Sequence, residues 1–297
     1  MRRALAAAAT FAAVSLCQAP LGHAQTLYPI DRADILVGSR FDFKIEFPGL
    51  VDQAKITVTV NGEDHQKVFG RAAVFIERED GKDQSAMILR DVVLSQPGSY
   101  RVRVSDGTQS REVGWTVYAT GARKAKNVIL FIGDGMAPAH RTAARLLSKG
   151  IAEGKARGKL AIDDMPHMAM VATAGSDSII TDSANSASAY ATGHKSAVNA
   201  LGVYADRTSD PFDDPRVENI TSLVQRRSGM AVGVVTNTEI EDATPAAMVA
   251  HTRRRAEYDR IVDHLFNAKP DVILGGGVRI SCRARRKAPS ARTRLIW

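Results

Sequence analysis

The hydrophobic pattern of this chain changes period once, across residues 120–126, and the change separates two kinds of structure. Upstream, Phe41-Asp42-Phe43-Lys44-Ile45-Glu46-Phe47, Lys55-Ile56-Thr57-Val58-Thr59-Val60 and Tyr100-Arg101-Val102-Arg103-Val104 alternate between apolar and polar. That is the period of strands with one face in a core and one in water. Asn61-Gly62, Asp80-Gly81, Pro97-Gly98 and Asp106-Gly107 separate the runs with residues that suit tight turns. Short strands at this spacing predict a small immunoglobulin-like β-sandwich over residues 26–120. No cluster of histidines, cysteines or carboxylates marks a reaction centre in it, so a structural or binding appendage is expected.

Downstream the apolar residues form continuous runs: Asn127-Val128-Ile129-Leu130-Phe131-Ile132, Met168-Ala169-Met170-Val171-Ala172, Met230 to Val235 and Asp271-Val272-Ile273-Leu274. Such runs suit parallel strands buried on both faces. Helical segments are expected between them at about 137–148, 183–191, 220–227, 246–250 and 258–267. Strands alternating with helices predict a doubly wound, mainly parallel α/β sheet. Gly275-Gly276-Gly277 fits neither the Walker nor the Rossmann spacing and reads as a turn.

The two ends differ from this body. Residues 1–24 have the form of a secretory signal peptide: Arg2 and Arg3, an apolar run from Ala4 to Leu16, and Gly22-His23-Ala24 before Gln25. An exported, periplasmic or secreted protein is expected, with no membrane span because the apolar run is too short. With Cys17 inside the signal, Cys282 is the only mature cysteine, and no intrachain disulfide is expected. Six arginines and Lys287, with no acid, fall between Arg279 and Trp297. They and the signal account for the net charge of +8, leaving a nearly neutral body that offers no nucleic-acid footprint. Residues 278–297 read as a disordered or frame-shifted basic tail.

The chemistry converges on Ile180-Thr181-Asp182-Ser183-Ala184-Asn185-Ser186-Ala187-Ser188-Ala189-Tyr190-Ala191-Thr192-Gly193. Ser183 would begin a helix of small residues, where free N–H groups and the positive dipole end favour an anion. A serine so placed can be a nucleophile, although Thr181, Asp182 or Ser183 could equally be a helix cap. Asp134, between Gly133 and Gly135 at the end of an apolar run, could meet a metal or simply make a turn. Asp242-Ala243-Thr244-Pro245 could hold a hard cation or start a helix. Arg253-Arg254-Arg255 could grip phosphate or form a solvated basic turn.

Phe131-Ile132-Gly133-Asp134-Gly135-Met136, the segment around Ser183, and Glu241-Asp242-Ala243-Thr244-Pro245-Ala246-Ala247 occur in an order that resembles the alkaline phosphatases, a family of metal-dependent phosphomonoesterases. The resemblance covers about residues 126–277. It implies an α/β domain of the alkaline phosphatase type, with small phosphate monoesters as substrates, two zinc ions, one magnesium ion and a possible homodimer. It also implies Ser183 as nucleophile and zinc ligand, passing through a phosphoserine. Asp134 would bridge zinc and magnesium, Thr244 would ligate magnesium, and Asp242 would tune that magnesium through water. Arg255 would grip two phosphate oxygens with Asp182 positioning it, whereas His194 and His251 match no ligand position. The family takes further carboxylates and histidines from the second half of its domain, and after Gly277 this chain has no Asp, Glu or His. The resemblance therefore implies an incomplete, amino-terminal α/β half, weakly active or inactive. The alternatives are a non-enzymatic fragment and a related metallo-phosphodiesterase.

Overall fold

The computed structural model describes residues 25–277. The readings of residues 1–24 as a signal and of 278–297 as a tail lie outside the described residues.

The first part is a two-sheet sandwich. Its strands are β1 (Thr26–Tyr28), β2 (Ala33–Leu36), β3 (Arg40–Glu46), β4 (Thr57–Val60), β5 (Glu63–Asp64), β6 (Val74–Ile76), β7 (Ala86–Val93), β8 (Gly98–Ser105) and β9 (Ser110–Tyr118), with one short helix, α1 (His65–Phe69). One sheet runs β1-β3-β7-β6 and the other β2-β9-β8-β4-β5. All pairings are antiparallel except β2 with β9, which is parallel. Alternation explains the core. Val102 and Val104 of β8 point inward with Val113, Trp115 and Val117 of β9, while Arg101 and Arg103 stay exposed. Phe41 and Phe43 meet the Trp115 ring edge-on, and the indole N–H donates to Pro29 O at 3.1 Å, so its one polar atom is satisfied. Asn61-Gly62 and Asp80-Gly81 make their turns with positive φ at both residues, as the sequence suggests.

β3 departs from expectation. Its apolar residues face the core, but Asp42, Lys44 and Glu46 are buried as well. The polar face that alternation assigns to water is covered by the chain between Asp206 and Glu218. Residues 216–218 continue the ladder on β3 beyond the end of β1: Asp42 N–H donates to Arg216 O at 2.8 Å and Glu218 N–H to Arg40 O at 2.8 Å. Alternation reports which side chains are polar and is silent on what covers them.

The second part contains α2 (Pro138–Lys149), the small hairpin β10 (Ile151–Ala152) and β11 (Lys155–Ala156), α3 (Ser183–Thr192), α4 (Ile220–Ser228), β12 (Gly233–Glu239), α5 (Ala243–Ala246), α6 (Tyr258–Ala268) and β13 (Val272–Gly276). β12 and β13 pair in parallel, as crossover-linked strands do. Ala184 and Ala187 of α3, Ala243 and Ala246 of α5, and Ile261 and Leu265 of α6 share one core with Val234 and Ile273 of the two strands. This supports an α/β arrangement.

Two expected strands are absent. Residues 127–132 and 168–172 are unpaired, and Val128, Phe131 and Met170 are 77%, 85% and 92% exposed. A strand exists only through its partners, and among the described residues none lies beside these runs. The parallel sheet therefore has two strands among the described residues, and the broader doubly wound sheet is not formed by them. The helix expected at 246–250 instead starts at Ala243, because Asp242 caps it.

Candidate active site

Ser183 sits in the first turn of α3 because Asp182 caps that helix. The Asp182 carboxylate accepts the Asn185 N–H at 2.9 Å, and the Asn185 side chain accepts the Asp182 N–H at 3.0 Å. This reciprocal pair satisfies two donors at the helix end and fixes Ser183 beside them. Alanines at 184, 187 and 191 lie fully against the core, and Gly193 ends the helix in the left-handed region at φ 79°. Of the three candidate caps, Asp182 is the one that caps, and Ser183 is left half-buried beside it.

Arg255 brings the parts together. Its Nη1 donates to Ser183 Oγ at 2.6 Å and its Nη2 to Asp242 Oδ1 at 2.7 Å, while Asp182 Oδ2 lies 3.6 Å from Nη1. The guanidinium fork therefore spans the α3 and α5 N-termini, which a lysine could not do. Thr244 Oγ1 donates to Asp134 Oδ2 at 2.5 Å, attaching the exposed Gly133-Asp134-Gly135 turn to α5. Asp134, Asp182, Ser183, Asp242, Thr244 and Arg255 thus form one connected group.

The structure also separates the three consecutive arginines. Arg255 reaches the site, Arg254 is exposed, and Arg253 turns toward Asp206. Of the two histidines set aside on sequence, His194 is buried and His251 half-buried, and each has a local hydrogen-bond partner. His194 is hydrogen-bonded to the Tyr204 hydroxyl at 2.6 Å, and burial pushes its pKa down to about 4. His251 is bonded to Gly202 O at 2.9 Å and is held below the usual imidazole range, chiefly by burial.

Two residues of the site were missed in the sequence. Asn199 donates its N–H to Asp182 Oδ2 at 3.1 Å, and its carbonyl accepts the Arg255 N–H at 2.8 Å. It does so in the left-handed region, at φ 67°. Asn199 contributes only its backbone to both bonds, so no side-chain motif announces it. Glu241, beside Asp242, is fully buried and its two carboxylate oxygens have no hydrogen-bond partner. Burial pushes its pKa up.

Donor chemistry limits which metals these residues suit. Asp134 and Thr244 offer two close oxygens and no nitrogen or sulfur, a hard set of the kind magnesium prefers. Among the described residues no group of three or more His, Cys, Asp or Glu is placed to hold a metal. The three protein ligands of a catalytic zinc are therefore not supplied by them.

The family model named alkaline phosphatase matches residues 125–294, more than half of the chain. The chain belongs to the alkaline phosphatase family. It is 33% identical to the alkaline phosphatase of Escherichia fergusonii over 213 residues, covering 63% of this chain and 41% of the relative. It is 36% identical to that of Escherichia coli over 182 residues (53% and 36%), and 36% identical to the tissue-nonspecific isozyme of Gallus gallus over 172 residues (52% and 33%). The crystal structure of a cold-active alkaline phosphatase from Shewanella sp. matches with 32% identity and a TM-score of 0.42, covering 49% of this chain and 35% of that one. The chain thus spans at most about two fifths of the length of these relatives. No helix among the described residues is long and apolar enough to cross a membrane.

Proposed function

We propose that this alkaline phosphatase homologue holds the phosphoryl-binding half of a phosphomonoesterase site, with Ser183 as nucleophile and Arg255 as phosphate grip. The supporting observation is the contact of Arg255 with Ser183 Oγ, its other arm anchored on Asp242. A guanidinium held this way can release Ser183 and take two phosphoryl oxygens without moving its backbone, which is how bidentate phosphate recognition works. The α3 N-terminus adds backbone donors and a positive dipole end toward the same point. In the reaction, a bond forms between Ser183 Oγ and phosphorus as the ester P–O bond breaks. The serine proton is lost and the leaving alcohol is protonated, giving a phosphoserine that water then hydrolyses.

Asp134 and Thr244 are the residues that would hold magnesium, with Asp242 beside them, and the ion when bound would offset negative charge around the phosphoryl group. The two zinc ions of the family reading do not fit the described donor set, and no step here passes through them. The sandwich over 26–120, the α/β part over 126–277, export to the periplasm or medium, and a homodimer complete the reading. Exposure of the 127–132 run supports a second reading, a non-enzymatic fragment that binds phosphate without turnover.

One experiment tests both. Binding of inorganic phosphate and hydrolysis of a chromogenic phosphate monoester at alkaline pH would be measured on the zinc- and magnesium-loaded chain. Ser183→Ala and Arg255→Ala serve as comparisons. Phosphate bound equally by the chain and by Arg255→Ala sinks the proposal. Binding without hydrolysis above Ser183→Ala selects the second reading.

A further inference from the structure

Nothing in the sequence assigns the sandwich a task, but its contact with the α/β part has a specific form. Lys44 of β3 is only 2% exposed, and its ammonium lies 2.5 Å from Asp206, 2.7 Å from Glu79 and 3.5 Å from Glu46. Burial works against its charge, yet Asp206 and Glu79 outweigh burial and push its pKa above the usual lysine value. Arg207 closes the same box from the other side. It donates to Glu79 at 2.8 Å, to Phe47 O at 2.5 Å and to Ser85 O at 2.7 Å. Arg90 of β7 reaches Asp42 at 2.7 Å and the carbonyls of Asp213 and Asp214 at 2.5 and 3.0 Å. Residues 206–214 are thus clamped at both ends by sandwich side chains.

The opposite side of that loop holds Arg253. Its Nη1 donates to Asp206 O at 3.0 Å and lies 3.9 Å from Asp206 Oδ1 and 3.8 Å from Asp214 Oδ1, while its N–H donates to Pro211 O at 3.2 Å. Leu201 and Thr252 exchange backbone bonds of 2.7 and 2.9 Å, and the Arg255 N–H meets Asn199 O. One residue, Arg254, separates the half-buried Arg253 from Arg255, the arginine that touches Ser183.

We propose that the sandwich braces the phosphate-gripping arm: Lys44, acting through Asp206 and Arg253, holds the backbone that carries Arg255. Lys44 and Arg253 are positioning residues. Buried charges have few acceptable arrangements, because moving one leaves its partner unpaired. The brace therefore transmits position rather than mere attachment. Its value for chemistry rests on the phosphate-grip reading, because a fork spans two oxygens only when its backbone is fixed. The brace itself is independent of that reading.

The test is native-state amide exchange on the full chain, comparing Arg253→Gln with Arg254→Gln, the exposed neighbour. Exchange across residues 252–255 is expected to rise by roughly tenfold or more in Arg253→Gln alone, with β8 and β9 unchanged. Arg253→Lys, which keeps the cation, should restore part of the protection. Lys44→Met should reproduce the local pattern from the other domain. Where that variant fails to fold, Lys44→Arg replaces it, and protection at 252–255 is then expected to be kept. Equal exchange in Arg253→Gln and Arg254→Gln, or a rise spread evenly over β8 and β9, overturns the brace. Inorganic phosphate binding by Arg255→Ala separates the two claims. Retained binding, together with lost protection in Arg253→Gln, keeps the brace and removes the grip.

Discussion

Arg255 joins Ser183 to Asp242, and its geometry sets a direct expectation. A lysine at 255 keeps the charge but cannot span Ser183 Oγ and Asp242. Arg255→Lys should therefore weaken inorganic phosphate binding by at least about tenfold, read by calorimetry. Asn199 makes the complementary case. Its two site contacts use only backbone atoms, in a conformation that side chains branched at Cβ avoid. Asn199→Gly should leave the melting midpoint nearly unchanged, while Asn199→Val should cost on the order of 1–3 kcal/mol in denaturant unfolding. Equal stability of the two would remove the conformational argument. Asp214 supplies a pH dependence. It is fully buried, and one carboxylate oxygen has no partner. Burial, reinforced by the charge of Asp206, pushes its pKa from 3.8 to about 7. The folded chain thus keeps a proton that the unfolded chain releases, so this group's contribution to stability falls as pH climbs through that window and stays low above it. Asp214→Asn should raise the melting midpoint at pH 8, and the gain should vanish near pH 4.

Among the elements, α3 carries the most information. Asp182 both caps it and accepts the Asn199 N–H, so Asp182→Ala should cost roughly 1–2 kcal/mol in urea unfolding, and Asp182→Asn much less. A result equal for both would mean that the cap contributes little. The comparison with the sequence is clearest at this scale. Three strands of the sandwich, β3, β4 and β8, were legible because their runs alternate and Gly-containing turns set them apart, whereas the other strands were not named as runs. α3 was legible from its small residues and terminal Gly193. β3 was half legible: Phe41, Phe43 and Ile45 announce a core face, but Asp42, Lys44 and Glu46 look the same whether water or another chain segment covers them. Residues 127–132 carry the apolar signature of a strand, yet pairing is not a local property, and the run stands unpaired. The site divides in the same way. Ser183, Asp134, Asp242, Thr244 and Arg255 came from motif order, and the structure brings them together. The choice of Arg255 over Arg253 needed the register of the motif. Asn199 could not have been found, because backbone contacts leave no trace in residue type.

The whole molecule shows an imbalance between its parts. The sandwich has a continuous core, whereas the α/β part presents Val128, Ile129, Leu130 and Phe131 as one exposed apolar run. Unpaired apolar backbone of this kind is a template for association. Ile129→Lys combined with Phe131→Lys should reduce self-association in light scattering without lowering the melting midpoint of the sandwich. Unchanged scattering would show that the run is covered in solution.

The buried charges on β3 also impose an order in time. Lys44 and Asp206 are 162 positions apart, so during synthesis the sandwich is complete long before its partner loop emerges. Until then Asp42, Lys44 and Glu46 stand in water, where charges are at ease, and the young domain has no sticky flank to protect. The loop arrives later and finds a finished mould. The sandwich, made before that loop, thus serves as the template on which the arginine-bearing half is cast.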